Sequence, residues 1–249
     1  MMKRAFVLLA ACVALATAAG PAMAGQYQDG QAAYRAGDYA TALRDWWPLA
    51  LRGDAKAQTN LGILYSMGEG VPQNDNRADK WWRLAFKHWR PLALRGDAEA
   101  QYRLGDFYEL AMGVPQSNIK AARWWSLAAK HGNAVAQTRL GALYDNGMGV
   151  PKDYAKAAKW WRLAARQGYA QAQTNLGTLY VLGRGVPRDY VKAYMWFDLA
   201  AAGNPRSFLS DVAKKRDSLA ALMTPAQIAE AQHRAEQFRP QPIKKDQQR

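Results

Sequence analysis

The chain has 249 residues, ten Trp, twelve Tyr, one Cys and a formal net charge of +14 at pH 7. An apolar fraction of 49% is typical of a folded protein and argues against a disordered chain. One cysteine excludes a disulfide framework within the chain and a metal site built from several thiolates. The positive charge favours anionic partners.

The first 24 residues have the features of an export signal. Lys3 and Arg4 precede an apolar run over 5–19, which is too short to span a bilayer comfortably, and 22–24 (AMA) has the small-x-small pattern of a cleavage site. We expect cleavage after Ala24 and a periplasmic mature chain of charge +12, without Cys12 and without a transmembrane segment. Two alternatives are a lipoprotein processing box over 9–12 and an uncleaved anchor helix.

An internal repeat organises the rest of the chain. Four segments align on Gly53, Gly96, Gly132 and Gly168, and the last two intervals are 36 residues each. Such a period predicts stacked helix–loop–helix units without a single globular core. The predicted organisation is a signal peptide over 1–24, a degenerate N-terminal capping unit over 25–52, repeats over 53–95, 96–131, 132–167 and 168–202, C-terminal capping helices over 203–238, and a disordered basic tail over 239–249.

The third repeat shows the expected local structure. Apolar residues recur on one helical face over 133–146, which predicts the first helix of the unit, called helix A. The loop 147–151 (GMGVP) breaks this helix, and we expect one or more of its glycines to have positive φ. Asp153 is a good N-cap for the second helix, helix B. In the second repeat Ala111 replaces the first loop glycine, which predicts a strained or differently shaped loop.

A glycine recurs in the middle of every A helix. Each costs about 1 kcal/mol relative to Ala in a helix interior, so a packing reason is required. All ten Trp lie in the segments predicted as B helices, and we expect a Trp or a backbone segment of helix B to pack where a methyl group would clash. Burial between helices is favoured over a ligand cage. The four glycines are Gly62, Gly105, Gly141 and Gly177.

Two further features concern the ends of units. Residues 46–58 recur almost unchanged as 89–101, which adds seven residues to the first repeat. Pro91 lies in this extension and predicts a kink or break near 87–91, with a local change of pitch. Near the C-terminus, Thr224, Pro225 and Gln227 have the pattern of a capping box that begins a final helix.

These residues resemble the Sel-1-like repeat family, which is related to the tetratricopeptide repeats. The matching pattern is A-x-A-Q-x-x-L-G-x-x-Y, then G-x-G-V-P, then D-Y-x-K-A-x-x-W-x-x-x-A-A, and it extends over 53–202. The resemblance implies an all-α, right-handed superhelical solenoid of antiparallel helix pairs. It also implies a concave surface of A helices that binds peptides or proteins. Exported bacterial members are similar to envelope adaptors and regulators, and some cysteine-rich members are described as β-lactam-directed.

The candidate partner-binding residues are the non-recurring positions beside the packed face of each A helix. Arg103 and Arg139 would hold a carboxylate, while Asn60 and Asn175 would bond a peptide backbone. The alternative is that all these side chains are ordinary exposed residues. The full predicted groove consists of Thr59, Asn60, Tyr102, Arg103, Asp106, Thr138, Arg139, Thr174, Asn175 and Thr178.

The sequence contains no pattern of catalytic or metal-binding residues. His88, His131 and His233 are scattered and have no metal-ligand spacing, and the pair Asp106 and Glu109 is interpreted as solvated surface. We therefore predict a binding scaffold without cofactor, metal or nucleic-acid partner, acting as an adaptor or regulator through protein–protein contacts. A carrier of anionic envelope polymers is the first alternative. A hydrolase acting on the cell wall or on β-lactams is the second, and it would need a nucleophile or paired base.

Overall fold

The computed structural model describes residues 20–202 and 206–241, with side chains for 25–202 and 211–241. Within these ranges the regular secondary structure is entirely helical, and no helix combines the length and apolarity that crossing a membrane requires. The twelve helices are α1 (Gly20–Arg35), α2 (Tyr39–Leu51), α3 (Ala55–Met67), α4 (Asp75–Leu94), α5 (Ala98–Glu109), α6 (Asn118–Lys130), α7 (Ala134–Asn146), α8 (Tyr154–Arg166), α9 (Ala170–Leu182), α10 (Tyr190–Ala202), α11 (Arg206–Ala220) and α12 (Pro225–Gln237).

The described residues form two compact units. Unit 1 contains the chain up to Pro91 together with Met112–Val114, and unit 2 contains Leu92–Ala111 and the chain from Pro115 onward. In unit 1, α1 packs on α2 and α2 on α3; in unit 2, consecutive helices from α5 to α11 pack pairwise, and α12 packs on α10. The expected all-α repeat of helix pairs is confirmed.

Helix ends follow the repeat pattern closely. In the third repeat the Asn133 side chain accepts a hydrogen bond of 2.9 Å from the Ala136 amide and so begins α7. Gly147 and Gly149 have φ of 74° and 72°, as expected for these loop glycines. Asp153 accepts from the Lys156 amide at 2.9 Å and begins α8, which confirms its predicted role as N-cap.

Ala111 has the conformation of the glycine that it replaces. Its φ of 56° is the only positive value at a non-glycine residue among the described residues. In the left-handed region the Cβ crowds the following carbonyl oxygen, at a cost of roughly 1–2 kcal/mol. The prediction of a strained loop in the second repeat is therefore confirmed.

The mid-helix glycines lie against aromatic rings of the B helices. A Cβ on Gly141 would lie 2.5 Å from Trp161 Nε1, and the equivalent ring at Gly177 is Phe197, at 2.7 Å. The indole of Trp161 also donates a hydrogen bond of 3.0 Å to the Thr138 carbonyl, three residues before the glycine. The same glycine–indole arrangement occurs at Gly62 with Trp82, Gly105 with Trp125 and Gly30 with Trp46. The predicted packing reason for the glycines is confirmed, with a Phe in place of Trp at one position.

A buried glutamine connects each repeat to the preceding B helix. In the third repeat, Gln137 is 3% exposed and its Nε2 donates to the Ala129 carbonyl at 3.0 Å. The Ala129 carbonyl lies in the last turn of α6 and also accepts from the Gly132 amide at 3.0 Å, so Gln137 provides a further hydrogen bond to a helix-end carbonyl. Equivalent bonds join Gln58 to Ala50, Gln101 to Ala93, and Gln173 to Ala165.

The predicted break near Pro91 is absent. Helix α4 continues from Asp75 to Leu94 with Pro91 inside it. On the N-terminal side the helix is fixed in unit 1 by the buried Trp89, whose Nε1 donates to Thr59 Oγ1 at 3.2 Å. On the other side, in unit 2, Ala93 accepts the bond from Gln101. These contacts offset the single backbone hydrogen bond that proline removes.

The C-terminal segment contains the predicted helix cap and two contacts near the start of the tail. Thr224 and Gln227 form the expected capping box of α12. Phe238 packs edge-on against Trp196 at 5.6 Å, and the Gln241 amide donates to the Arg166 carbonyl at 2.8 Å. The disorder predicted for 239–249 stays a prediction, with these two contacts placed at its start. Residues 242–249, and most of the predicted signal peptide, lie outside the described residues.

Candidate functional site

Three of the predicted groove threonines are interior residues. Thr59, Thr138 and Thr174 are between 4% and 6% exposed, and each hydroxyl donates to the carbonyl four residues earlier in its own helix, at 2.7–3.0 Å. Their hydroxyl hydrogens are therefore engaged within the helix. This corrects the expectation that these side chains lie free beside the packed face.

The remaining predicted residues fall in different places. Asn60, like Thr59, lies in unit 1, where its Nδ2 donates to the Tyr27 hydroxyl at 3.2 Å. In unit 2, Arg103 pairs with Glu99 at 3.5 Å. Thr178 lines a separate cavity near α11. Arg103 and Arg139 both lie close enough to Asp106 to lower its pKa, and their joint action as a carboxylate clamp stays a prediction.

Three successive A helices of unit 2 line one cavity of about 480 Å³. Tyr102 comes from α5, Thr138 and Arg139 from α7, and Asn175 from α9. These four predicted groove residues are thus brought together across three repeats. The arrangement follows from the repeat itself, because equivalent positions of stacked units lie on the same side.

Two polar wall residues were missed by the sequence analysis. Tyr169 and Gln171 line the cavity at the start of α9, and Gln171 Nε2 donates to Asn175 Oδ1 at 3.1 Å. The sequence contains a signal for Tyr169. This residue stands at the N-cap position that Asn133 occupies in the preceding repeat, but its side chain makes no capping hydrogen bond. A departure from the repeat pattern marked a residue whose side chain faces the cavity.

Arg139 provides the charge of this cavity. It is the only ionised side chain among the described residues of the wall, and its side chain is 46% exposed. Its guanidinium lies 3.6 Å from Glu109 Oε2 and 5.9 Å from the Trp125 ring centroid. A partly exposed ion pair of this length is weak, so the guanidinium can still bind a carboxylate of a partner.

Behind the wall, Asp106 is a buried carboxylate. It is 7% exposed, and burial raises its pKa to about 6, against the lowering effects of the Tyr102 hydroxyl, Arg139 and Arg103. Burial and the Asp106 charge raise the pKa of Tyr102 in turn. The interpretation of Asp106 as solvated surface is therefore wrong. Its buried carboxylate interacts with the Tyr102 hydroxyl and with the charge of Arg139, and both of these residues line the cavity.

Two B helices of unit 2 are strongly basic. Helices α6 and α8, both B helices, carry seven cations and no carboxylate, whereas α5 carries Glu99, Asp106 and Glu109 with one arginine and α9 carries no charged residue. The same B helices expose Ile119, Leu127 and Leu163, at 56%, 40% and 38%. The cations are Lys120, Arg123, Lys130, Lys156, Lys159, Arg162 and Arg166.

Comparisons with known proteins agree with this organisation. The family model described as Sel1 repeat matches 55–88, 98–133, 134–169 and 170–205, which is more than half of the chain. The crystal structure of a Sel1 repeat protein from Oxalobacter formigenes is similar, with 29% identity, 90% of each chain covered and a TM-score of 0.63. The crystal structure of an immunity protein from Pseudomonas aeruginosa is also similar, with 21% identity and a TM-score of 0.51. That match covers 84% of this chain and 81% of the immunity protein. No match is found among curated proteins.

Proposed function

The chain belongs to the Sel1 repeat family. From that premise we propose that it is an exported, non-catalytic scaffold of the bacterial envelope, and that it binds an acidic, extended segment of a partner protein. The observation that carries the proposal is the cavity shared by α5, α7 and α9. Sel1 repeats mediate protein interactions, and the N-terminal pattern of 1–24 supports export. The adaptor or regulatory role is proposed from the resemblance of the repeats to those of exported bacterial members.

The wall of the cavity has the groups that an acidic peptide requires. Arg139 binds a carboxylate by charge-assisted hydrogen bonds. Gln171 and Asn175 present amides to the peptide backbone, and Tyr102 and Tyr169 supply aromatic area with a polar end. Because neighbouring repeats extend the surface along the chain, one extended segment would contact successive A helices.

Site-specific crosslinking in intact cells tests this proposal. A photo-reactive residue replaces Ala142, which lines the cavity, and a control replaces Ala155, which is exposed on α8. We expect one dominant protein to be captured from position 142 and not from 155, and the capture to be lost in Arg139→Glu. Lys159→Glu, an exposed charge reversal on α8, is the matched control and should leave capture intact. The same set of proteins from both positions would contradict the groove.

The basic character of α6 and α8 favours a second candidate function, the carriage of an anionic envelope polymer. The seven cations of α6 and α8 are accompanied by no carboxylate on those helices. Binding of this kind is screened by salt. Retention on immobilised polygalacturonate should fall steeply as NaCl is raised from about 50 to about 300 mM, because added salt shortens the Debye length and screens the attraction. Retention should weaken in Lys159→Glu but not in Arg139→Glu. Turnover of cell-wall fragments or a β-lactam by pure protein would contradict both proposals.

A further inference from the structure

A second cavity lies near the C-terminal end of unit 2, between α9, α10 and α11. Its volume is about 370 Å³ and its wall is almost wholly apolar, with Val181, Leu182, Phe197, Leu219 and Leu222. Phe197 and Leu219 are 2% and 3% exposed, so they belong to the packed core and form a fixed floor. Leu182 and Leu222 are 44% and 65% exposed and lie at the opening.

The charged groups of this cavity are cationic. Lys214 and Lys215 are the only charged side chains among the described residues of its wall. Lys214 Nζ lies 4.0 Å from Asp211 Oδ1, and because both side chains are more than 75% exposed the pairing is weak. The Thr178 hydroxyl donates to the Thr174 carbonyl at 3.0 Å, so its hydrogen is not offered to a ligand.

We propose that this cavity binds a single-chain amphipathic carboxylate of the fatty-acid class. The acyl chain would lie against Val181, Phe197 and Leu219, and the carboxylate would pair with the ammonium of Lys214 or Lys215. The volume is at the lower end of the range for small-molecule sites. It suits one acyl chain better than a partner helix, which needs anchors over about two turns. The site is separate from the groove of the proposed function and does not depend on it.

Calorimetric titration of the purified protein with hexanoate, octanoate and decanoate, each below its micelle concentration, tests the assignment. Each buried methylene contributes roughly fourfold in affinity, so two methylenes give about fifteenfold until the cavity is full. Decyltrimethylammonium, which carries a cationic head on a chain of the same class, should not bind at the concentration that saturates decanoate binding. No binding of decanoate, or equal binding of both amphiphiles, would overturn the proposal.

Variants locate the binding. Lys214→Glu with Lys215→Glu should weaken decanoate binding at least about tenfold, since one attractive charge pair becomes repulsive. Leu182→Glu, at the exposed rim, should have a comparable effect. Lys130→Glu with Lys159→Glu, on α6 and α8, changes the net charge by the same amount at two exposed residues and should leave the affinity within about twofold. If circular dichroism shows that a Glu variant is unfolded, the Gln variant at the same position replaces it. Unchanged affinity in folded variants would overturn the site.

Discussion

The buried carboxylate of Asp106 makes the stability of the protein depend on pH in a defined direction. Burial raises its pKa in the folded chain from the ordinary 3.8 to about 6. The folded state therefore holds this proton more tightly than the unfolded state does. The contribution of Asp106 to the free energy of unfolding is most favourable below about pH 4, and it is lost as pH rises from about 4 to about 6.

The size of the effect follows from the pKa. Because a tenfold change in proton affinity corresponds to about 1.4 kcal/mol, a rise from 3.8 to about 6 corresponds to about 3 kcal/mol of free energy of unfolding. The neutral substitution Asp106→Asn keeps the shape and removes the buried charge. We expect the variant to be more stable than wild type by roughly 2–3 kcal/mol at pH 8, and by less than about 1 kcal/mol at pH 4.

Urea unfolding followed by circular dichroism, at pH 4, 5, 6, 7 and 8, measures this difference. Asp211→Asn removes one negative charge at a side chain that is 81% exposed, and it should stay within about 0.5 kcal/mol of wild type throughout. The prediction fails if the difference in stability between Asp106→Asn and wild type is the same at pH 4 and pH 8. The buried carboxylate would then have no raised pKa.

Three further substitutions test the packing of the repeats by urea unfolding. Gly141→Ala should destabilise by about 1–3 kcal/mol although Ala is the better helix former, because its Cβ meets Trp161 Nε1 at 2.5 Å; a stabilised variant would show that the ring does not pack there. Ala111→Gly should stabilise by about 0.5–1 kcal/mol by removing left-handed strain, and a loss of stability would contradict the observed φ. Gln137→Ala should cost about 1–3 kcal/mol, because it removes a buried side chain that donates to the Ala129 carbonyl and accepts from Gln167 Nε2; a change below 0.5 kcal/mol, the range of surface substitutions, would argue against these bonds.

The repeat pattern allowed much of the local structure to be predicted. Asp153 was recognised as an N-cap because its side chain and position are those that satisfy free amides at a helix start. The clash at Gly141 was predictable because a glycine in a helix interior is costly without a packing reason. Both inferences depend only on neighbours along the chain and on recurrence.

Other features depend on contacts that recurrence does not reveal. Pro91 remains helical because Trp89 and Ala93 are held on either side of it, and tertiary contacts of this kind override a local preference. Asp106 has no equivalent carboxylate in the other repeats, so its burial could not be inferred from them. The chain after Phe238 is held by a hydrogen bond from the Gln241 amide to the Arg166 carbonyl, and no side-chain pattern marks that backbone acceptor.

The same reasoning explains which of the predicted groove residues line one cavity. Tyr102, Thr138, Arg139 and Asn175 were found because equivalent positions of stacked repeats share one side. Burial of the threonines could not be predicted, because Thr satisfies its hydroxyl within its own helix and presents little polar surface. The pairing of Arg103 with Glu99 depends on side-chain geometry within α5.

The most direct test of the scaffold proposal is the affinity of the partner segment captured at Ala142, measured as a synthetic peptide against three forms of the protein. We expect Arg139→Glu to weaken binding at least about thirtyfold, because loss of one partner of a charge pair that the bound peptide desolvates costs about 2 kcal/mol or more. Lys159→Glu should weaken it less than about threefold, since a distant exposed charge is screened. Equal losses in the two variants would mean that the overall charge attracts the peptide, and would contradict a specific site on α5, α7 and α9.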